Sequence, residues 1–474
     1  MRRNNLVEAA LAATALAAAC QGAAAERKEK PNVLFIAIDD MKPLMGCYGD
    51  KTAVTPNIDK LASRSVVFLN NQCQWPVCGP SRASIMTGLR PEHTGVMNLK
   101  TKMRSVHPEI LTIPQYFKEN GYVTVGRGKI FDPRCVEGGR KTDDPKSWSI
   151  PYKCPYGHVE IQGKPAFAAP EVADDALTDG KIAKEGVRLI GELSNKEKPF
   201  FIAVGFKKPH LPFIAPKKYW DIYGKSKMPV AKFQKPAAGV DPSHNYHNSP
   251  ELRSYDGIPK TGAIPAELQR ELLRGYYACS SYIDAQIGKL IDALKNQGVY
   301  DNTIICLWGD HGWHLGDHGM WGKHTTLEQA ARAPLIIRAP GGTEGKKTTS
   351  PTEFIDVFPT LCDLVGLPIP KQLEGRSLVP IMKNPEAMVK PGAITNFHRK
   401  GFGYSFRDKR YRYVVWINHK TKKIVSRELY DYEKDPLETV DFSKNPEYKE
   451  IMERLDKELR ETAKGGCDLL FETK

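Results

Sequence analysis

Two patterns of apolar residues alternate along positions 33–365. Short continuous apolar runs predict strands buried on both faces, as in a parallel sheet; they lie at 33–38, 66–69, 122–125, 200–204, 303–308 and 335–337. Stretches with apolar residues every three or four positions predict helices that cover the sheet; they lie at 113–120, 183–193, 283–294 and 355–365. This alternation indicates a layered α/β domain with a mostly parallel sheet.

The pattern changes near residue 390. Short strands are predicted at 404–407, 411–417 and 428–432, joined by polar turns, and a charged helix is predicted at 448–462. We therefore expect a catalytic domain over 31–388 and a small C-terminal α+β subdomain with an antiparallel sheet over 391–474. Residues 222–264 show little periodicity, which predicts a long surface segment near the rim of the functional site.

The first 25 residues are typical of an export signal. Arg2 and Arg3 precede a weakly apolar stretch, and Ala-x-Ala cleavage sites end at Ala19 and Ala25. Cys20 stands where a lipoprotein cysteine would stand, so a lipid anchor is an alternative to release. These features predict a periplasmic or extracellular protein whose only membrane attachment would be through Cys20.

The charge of the chain favours an anionic partner. Lys and Arg number 69 against 55 Asp and Glu, a formal net charge of +14. No long basic arm or nucleic-acid-binding motif is present, so a polyanionic substrate is a better interpretation than nucleic acid. A merely solvated basic surface is the alternative.

Ten cysteines in an exported chain raise the question of disulfides. Cys135 and Cys154 flank a polar loop rich in Gly and Pro, and they are the predicted pair. Cys306 and Cys362 lie inside apolar runs and are predicted to be buried thiols.

Two predicted strands end in acidic residues. Asp39 and Asp40 follow the strand at 33–38, and Asp310 with His311 follows the strand at 303–308. Because α/β enzymes place ligands at the carboxyl ends of their strands, these side chains can converge on one divalent cation. Oxygen donors predominate, which favours calcium or magnesium over zinc. Capping of a following helix is the alternative for such a pair.

A nucleophile stands at the start of a predicted helix in Cys78-Gly79-Pro80-Ser81-Arg82. Pro80 suits the first turn of a helix, so residue 78 would face free N–H groups and the positive end of the helix dipole. Arg82 would add a bidentate donor for an anion. A structural or merely reactive cysteine is the alternative.

These motifs resemble those of the type I, formylglycine-dependent sulfatases of the alkaline-phosphatase-like superfamily. Cys78-x-Pro80-Ser81-Arg82 matches the signature whose cysteine is oxidised to formylglycine. The resemblance covers nearly the whole mature chain, and within the family it is strongest to the iduronate-2-sulfatases. The stretches that carry this likeness are 112–121, 208–213 and 310–323.

The resemblance implies a fold, a cofactor and a set of roles. The fold would be alkaline-phosphatase-like, and a calcium ion would be bound by Asp39, Asp40, residue 78, Asp310 and His311. A hydroxyl of the hydrated formylglycine would attack sulfur. Arg82, Lys129 and Lys323 would neutralise the sulfate, and His210 would protonate the departing sugar oxygen. A formylglycine-generating enzyme or an anaerobic sulfatase-maturating enzyme would be a required partner.

One position departs from the iduronate-2-sulfatase pattern. That pattern has a histidine three residues after the lysine of Gly128-Lys129, and this chain has Asp132. Either Asp132 takes the role of the base, or another residue such as His314 does. His318 and His324 are expected in the wall of the pocket. Trp313 and Trp321 are expected to stack on a sugar ring.

The sequence therefore predicts an exported, calcium-dependent sulfatase that acts on a sulfated anionic glycan. A 2-O-sulfated uronate at a chain end is the favoured substrate, which would make the enzyme exo-acting. One alternative is hydrolysis of phosphate diesters or phosphonates by the same site. Another is a protein that binds sulfated glycans without cleaving them, with Cys78 unconverted and Asp132 in place.

Overall fold

The centre of the fold is an eight-stranded mixed sheet in the order β13-β2-β12-β9-β1-β7-β4-β5. The computed structural model describes residues 30–224, 228–463, 470 and 472, so the predicted export signal with Cys20 lies outside the described residues. The strands are β1 (Asn32–Asp39), β2 (Val66–Phe68), β3 (Asn71–Gln72), β4 (Val123–Gly128), β5 (Ile150–Lys153), β6 (Phe167–Ala168), β7 (Phe200–Pro209), β8 (Phe213–Ile214), β9 (Thr303–Gly309), β10 (His314–Leu315), β11 (Trp321–Gly322), β12 (Leu335–Arg338), β13 (Lys346–Thr348), β14 (Thr352–Glu353), β15 (Ala393–His398), β16 (Phe402–Arg407), β17 (Tyr411–Asn418) and β18 (Lys423–Asp431).

Helices cover the sheet and connect its strands. They are α1 (Pro56–Ala62), α2 (Cys78–Thr87), α3 (Pro91–Thr94), α4 (Met103–Val106), α5 (Ile113–Glu119), α6 (Gly139–Thr142), α7 (Thr178–Leu193), α8 (Lys217–Trp220), α9 (Pro242–Asn245), α10 (Ala266–Asn296), α11 (Glu328–Ala331), α12 (Val357–Leu364), α13 (Val379–Lys383) and α14 (Lys449–Thr462). Short 3₁₀ turns lie at Gly46–Tyr48, Pro145–Ser147, Asp174–Ala176, Leu252–Ser254, Asp317–Gly319, Phe354–Asp356 and Pro446–Tyr448.

The central strand β1 shows why the sheet is buried on both faces. β1 pairs in parallel with β7 on one side and with β9 on the other. Its even-numbered residues, from Leu34 to Ile38, pack into one core with α7 and α10. Its odd-numbered residues, from Val33 to Ala37, pack into a second core with α5 and α12. The predicted mostly parallel sheet is confirmed, and β12 interrupts it by running antiparallel to β9 and β2.

The C-terminal part of the chain forms a four-stranded antiparallel sheet, β15-β16-β17-β18, with α14 packed against it. The predicted antiparallel sheet is confirmed. The sequence pattern missed β15, because its run Ala-Ile-Thr-Asn-Phe-His is short and has no clean alternation. No helix in the described part of the chain is both long and apolar enough to cross a bilayer.

Two sequence-based expectations are wrong. All the cysteines within the described residues are free, so Cys135 and Cys154 do not form the predicted disulfide, whereas Cys306 and Cys362 are the buried thiols expected. The segment after residue 227 is not confined to the surface, because Leu252 is fully buried in the main core. Its apolar residues are isolated in sequence and therefore leave no periodic signal.

Candidate active site

The ends of the adjacent strands β1 and β9 bring their acidic residues together. Ile38 pairs with Gly309 in parallel register, so the residues that follow each strand emerge at the same edge of the sheet. The backbone N–H of Asp40 donates to Oδ1 of Asp310 over 2.9 Å. Asp39, Asp40, Asp310 and His311 therefore lie together at this edge of the sheet, and we call them the strand-end cluster.

Residue 78 lies at the first position of helix α2, directly beside this cluster. The Sγ atom of Cys78 is 3.4 Å from Nε2 of His311 and 3.8 Å from Oδ1 of Asp40. Burial raises the pKa of the Cys78 thiol well above its usual value. The helix is fixed to β9 by Ser81, whose hydroxyl donates to the backbone carbonyl of Asp310. Glycine at position 79 leaves room for Cys135, since a Cβ there would lie 2.6 Å from Sγ of Cys135 and that side chain would have to shift.

The donor atoms of this cluster fit a hard divalent cation. Two overlapping groups each place one ligand atom per residue within 4.8 Å of the others: Asp39, Asp40, Cys78 and His210, and Asp40, Cys78, Asp310 and His311. Among the described residues, Oδ2 of Asp40 is buried and accepts no hydrogen bond. A buried carboxylate oxygen that accepts no hydrogen bond, in an oxygen-rich set, is the environment that calcium or magnesium occupies.

Two lysines neutralise the carboxylates from opposite sides. Nζ of Lys129 lies 2.7 Å from Oδ2 of Asp39, and Nζ of Lys323 lies 2.6 Å from Oδ1 of Asp40. Burial alone would raise the pKa of Asp39, but the nearby positive charges, Lys129 foremost, hold it well below its usual range. Nζ of Lys323 also lies 3.5 Å from Sγ of Cys78, so its charge is beside the candidate nucleophile.

Arg82, which the resemblance assigns to the sulfate, is engaged mainly by acceptors of the protein itself. Its guanidinium is fully buried and donates to Oδ2 of Asp310 over 2.8 Å and to Oδ1 of Asp39 over 3.1 Å. The remaining Nη1 donates to the backbone carbonyls of Lys129 and Ile130. Four of its five N–H groups thus meet protein acceptors, and Arg82 fixes two carboxylates of the cluster.

His210 faces the cluster from the loop after β7. Its Nδ1 lies 2.7 Å from the carbonyl oxygen of Leu211, so Nδ1 carries a hydrogen and Nε2 points at acceptors. Nε2 is 3.7 Å from Oδ2 of Asp40 and 3.2 Å from Oε1 of Glu251. The sequence pattern did not single out Glu251, because this residue lies in the segment without periodicity.

Comparison with known proteins identifies the family. The profile of the sulfatase family matches residues 31–367. The chain belongs to the sulfatase family. A second profile, the C-terminal region of N-sulphoglucosamine sulphohydrolase, matches residues 316–465.

Two curated relatives and one solved structure give the degree of likeness. The sulfatase is 32% identical to iduronate 2-sulfatase of Mus musculus, over 90% of this chain and 92% of that protein. It is 33% identical to a sulfatase of Formosa agariphila, over 90% of this chain and 86% of that protein. The phosphonate monoester hydrolase of Agrobacterium radiobacter has the same fold, with a TM-score of 0.76 at 24% identity over 91% of this chain and 95% of that one. The chain is therefore a sulfuric ester hydrolase with an alkaline-phosphatase-like fold.

Asp132 is in a poor position to act as the base of this sulfatase. Nε and Nη2 of Arg134 donate to its two oxygens over 2.9 and 2.7 Å. Burial opposes ionisation of Asp132, but the hydrogen bonds from Arg134 and the charge of Lys129 lower its pKa to about 2. A carboxylate with so low a pKa is a weak base at neutral pH.

His314, the other candidate base, has both ring nitrogens engaged. Nε2 lies 2.8 Å from Oγ1 of Thr325, and Nδ1 lies 3.2 Å from the carbonyl oxygen of Asp317. His314 is fully buried, and burial lowers its pKa well below the usual value. Neither candidate base makes a hydrogen bond to residue 78 within the described part of the chain.

The aromatic and histidine side chains after β9 are packed inside the sulfatase. Trp313 and Trp321 are only 1% and 2% exposed, so the prediction that they stack on a sugar ring is wrong. The ring of Trp313 instead lies under the ammonium of Lys323, 4.9 Å from its centroid. His318 is buried and His324 half-buried against neighbouring rings, and neither is among the residues that line the cavity beside the cluster.

That cavity has a volume of about 500 Å³ and begins at the strand-end cluster. Asp39, Lys129 and His210 line it at the end next to the cluster. The other lining residues come from the ends of β5 and β7, from α6 and from the loops after β4, β5 and β7, and they are Asp132, Pro133, Arg134, Arg140, Tyr152, Cys154, Tyr156, Lys207, Lys208 and Leu211. A concave site of this size can hold one or two sugar rings.

Proposed function

We propose that this sulfatase hydrolyses sulfate esters of an anionic glycan, with formylglycine at position 78 and a bound calcium ion. The observation that carries the proposal is the placement of residue 78. It lies at a helix N-terminus within 4 Å of Asp40, His311 and Lys323. A nucleophile, an oxygen-rich donor set and fixed positive charge thus meet at one point beside a cavity.

Asp39, Asp40, Asp310 and His311 would hold the metal ion together with residue 78. When bound, calcium would neutralise the clustered carboxylates and lower the pKa of a hydroxyl on the converted residue 78. Arg82 keeps Asp39 and Asp310 in place through buried ion pairs. This support matters because ligand atoms must be held closely for the site to form.

The other charged residues would act on the substrate. Lys129 and Lys323 would neutralise the oxygens of the sulfate, since both ammonium groups already lie among the cluster carboxylates. With its ring doubly protonated, His210 would donate the proton on Nε2 to the departing sugar oxygen, while its Nδ1–H stays bonded to the carbonyl of Leu211. Glu251, 3.2 Å from Nε2, would keep that ring oriented.

We propose a terminal 2-O-sulfated uronate as the substrate and exo action. The likeness to iduronate 2-sulfatase supports the sugar. The cavity of about 500 Å³ supports recognition of a chain end. The protein would be exported to the periplasm or beyond, and a formylglycine-generating or anaerobic sulfatase-maturating enzyme would convert Cys78.

Two other functions follow from specific observations. Hydrolysis of phosphonates or phosphate diesters at the same site is supported by the structural likeness to a phosphonate monoester hydrolase. Binding of sulfated glycans without cleavage would follow if Cys78 stayed a thiol, because the positive cavity does not depend on the conversion.

The test is a sulfate-release assay of protein produced together with a maturating enzyme. The substrates are a 2-O-sulfated uronyl disaccharide, 4-O- and 6-O-sulfated galactose or N-acetylhexosamine, an aryl sulfate and an aryl phosphonate. We expect the fastest release from the uronyl disaccharide. Faster release from a sulfated neutral hexose would refute the uronate, and faster hydrolysis of the phosphonate would refute sulfate as the main substrate.

A further inference from the structure

The cavity continues past the strand-end cluster to a second group of cations. Lys129 and His210 lie at the cluster, whereas Arg134, Arg140 and Lys207 line the rest. Arg134 and Arg140 are exposed and Lys207 is half-buried, so a ligand in the cavity can reach them. These three residues come from the loop after β4, from α6 and from the end of β7.

The carboxylates that line the cavity do not pair with all of these cations. Asp39 is paired with Lys129, and Asp132 is paired with Arg134. Within the described ranges, the side chains of Arg140 and Lys207 form no hydrogen bond or ion pair. Arg134 gives only Nε and Nη2 to Asp132, and its side chain stays 53% exposed. The cavity therefore carries positive charge beyond that needed to bind one sulfate at the cluster.

An aromatic ring at the same cavity completes a sugar-binding surface. Tyr156 lines the cavity and is 70% exposed. A large exposed aromatic ring beside cations is suited to an acidic sugar, whose apolar face packs on the ring while its anion meets the cations. Tyr156 thus takes the place that the sequence gave to the buried Trp313 and Trp321.

We propose that Arg140 and Lys207, with Arg134 held in place by Asp132, form a subsite for a second anionic group of the substrate. That group is a carboxylate or a second sulfate on the molecule whose first sulfate is cleaved. This subsite rests on the proposed function of the cluster. It gives Asp132 a positioning role toward Arg134, in place of the proton transfer expected from the sequence.

The first measurement compares kcat/KM for a 2-O-sulfated uronyl disaccharide with kcat/KM for an aryl sulfate that lacks a second anion. We expect Arg140→Ala and Lys207→Ala each to lower this ratio about 10-fold, the effect of one lost charged contact. Arg140→Lys should recover part of the loss. Lys347→Ala is the matched control, because it removes one positive charge from β13 at the opposite edge of the sheet and should leave the ratio unchanged.

The substrates also distinguish the two sources of the anion. On the unsubstituted enzyme, loss of rate with a carboxyl-reduced disaccharide identifies the carboxylate. A gain of rate with an added sulfate on the neighbouring amino sugar identifies the sulfate. The subsite would be refuted if Arg140→Ala and Lys207→Ala lowered kcat/KM equally for the disaccharide and for the aryl sulfate, or lowered it for neither substrate.

A binding measurement tests the subsite independently of whether the protein hydrolyses sulfate esters. In the Cys78→Ala background, which cannot turn over, calorimetry gives the Kd of the uronyl disaccharide. We expect Arg140→Ala to raise that Kd about 10-fold at low salt, with a smaller effect at high salt. An unchanged Kd overturns the subsite, whether or not the unsubstituted enzyme releases sulfate.

Discussion

Two buried clusters of this sulfatase both pair carboxylates with Arg and Lys side chains, but they differ in how far those carboxylates are satisfied. At β14, both oxygens of Glu353 accept hydrogen bonds from Arg90, and Lys390 bridges Glu353 and Asp356 at 2.5 Å from each. The second oxygen of Asp356 accepts from the N–H of Glu353. At the strand-end cluster, Oδ2 of Asp40 accepts no hydrogen bond from any described residue.

The difference lies in how completely each cluster satisfies its own carboxylates. Although burial opposes it, Arg90 and Lys390 lower the pKa of Glu353 to about 2, and hydrogen bonds from the protein satisfy both oxygens of Asp356. The strand-end cluster borders a cavity and leaves a carboxylate oxygen for a cation. Buried polar groups are normally satisfied, so an unsatisfied one points to function.

The largest effect is expected from Asp40→Asn. The amide still accepts a hydrogen bond from Lys323, but it removes one charge from the proposed metal site. We expect kcat/KM to fall about 1,000-fold and retained calcium, measured by elemental analysis, to drop. The free energy of unfolding in chelator should fall by less than it does when Lys390 is removed from the β14 cluster, because the amide keeps the hydrogen bond from Lys323. Full activity in a demonstrably metal-free sample would show that the reaction needs no metal ion.

In contrast to Asp40→Asn, Lys390→Met should lower the stability of the protein and leave its activity nearly unchanged. It leaves Glu353 and Asp356 buried without the cation they share, so the free energy of unfolding should fall by about 3–5 kcal/mol. Activity per folded molecule should stay within about twofold. Lys383→Met, an exposed lysine at the end of α13, is the control for loss of charge. If denaturant unfolding of Lys390→Met matched the unsubstituted protein, the cluster would not be structural.

Glu428 provides an intermediate case, a buried carboxylate with hydrogen-bond donors but no cation. Trp416, Tyr430 and Asn245 donate to it, yet burial raises its pKa to about 7. The pKa of Glu428 is therefore higher in the folded than in the unfolded protein. Protonated Glu428 stabilises the fold fully below about pH 4.3, and this contribution is lost as the pH rises through about 7.

Glu428→Gln should therefore flatten the pH dependence of unfolding. Between about pH 4.3 and about pH 7, titration of Glu428 should lower the free energy of unfolding of the unsubstituted protein by about 3 kcal/mol. The variant should not show this fall. Glu450→Gln on the exposed face of α14 is the control. Parallel pH curves for Glu428→Gln and the unsubstituted protein would show that Glu428 does not titrate in this range.

How far the sequence predicted these regions depends on the kind of signal each carries. The strand-end acids and residue 78 were predicted because apolar runs and a helix start fix their positions locally. Glu251 and the subsite cations were not, because their approach depends on where irregular loops pack. The disulfide between Cys135 and Cys154 was wrong because spacing along the chain says nothing about distance in space.

The smallest effect is expected from Glu251→Gln. The carboxylate orients His210 but also lies 3.9 Å from Nζ of Lys323, where it repels an incoming sulfate. We expect kcat and KM both to fall about 3- to 10-fold, since orientation is lost while repulsion is relieved. Glu386→Gln, exposed after α13, is the control. A fall in kcat with KM raised would show that Glu251 binds the substrate instead.

The central claim is that converted residue 78 is the nucleophile, and one measurement tests it most directly. Trypsin releases residues 65–82, which contain both Cys73 and Cys78, so mass spectrometry of this peptide gives the formylglycine fraction with Cys73 as the internal reference. In samples made with graded amounts of a maturating enzyme, sulfate release should rise in proportion to that fraction and be absent in Cys78→Ala. Full sulfate release from Cys78→Ala, or from protein whose residue 78 is entirely thiol, would contradict the account.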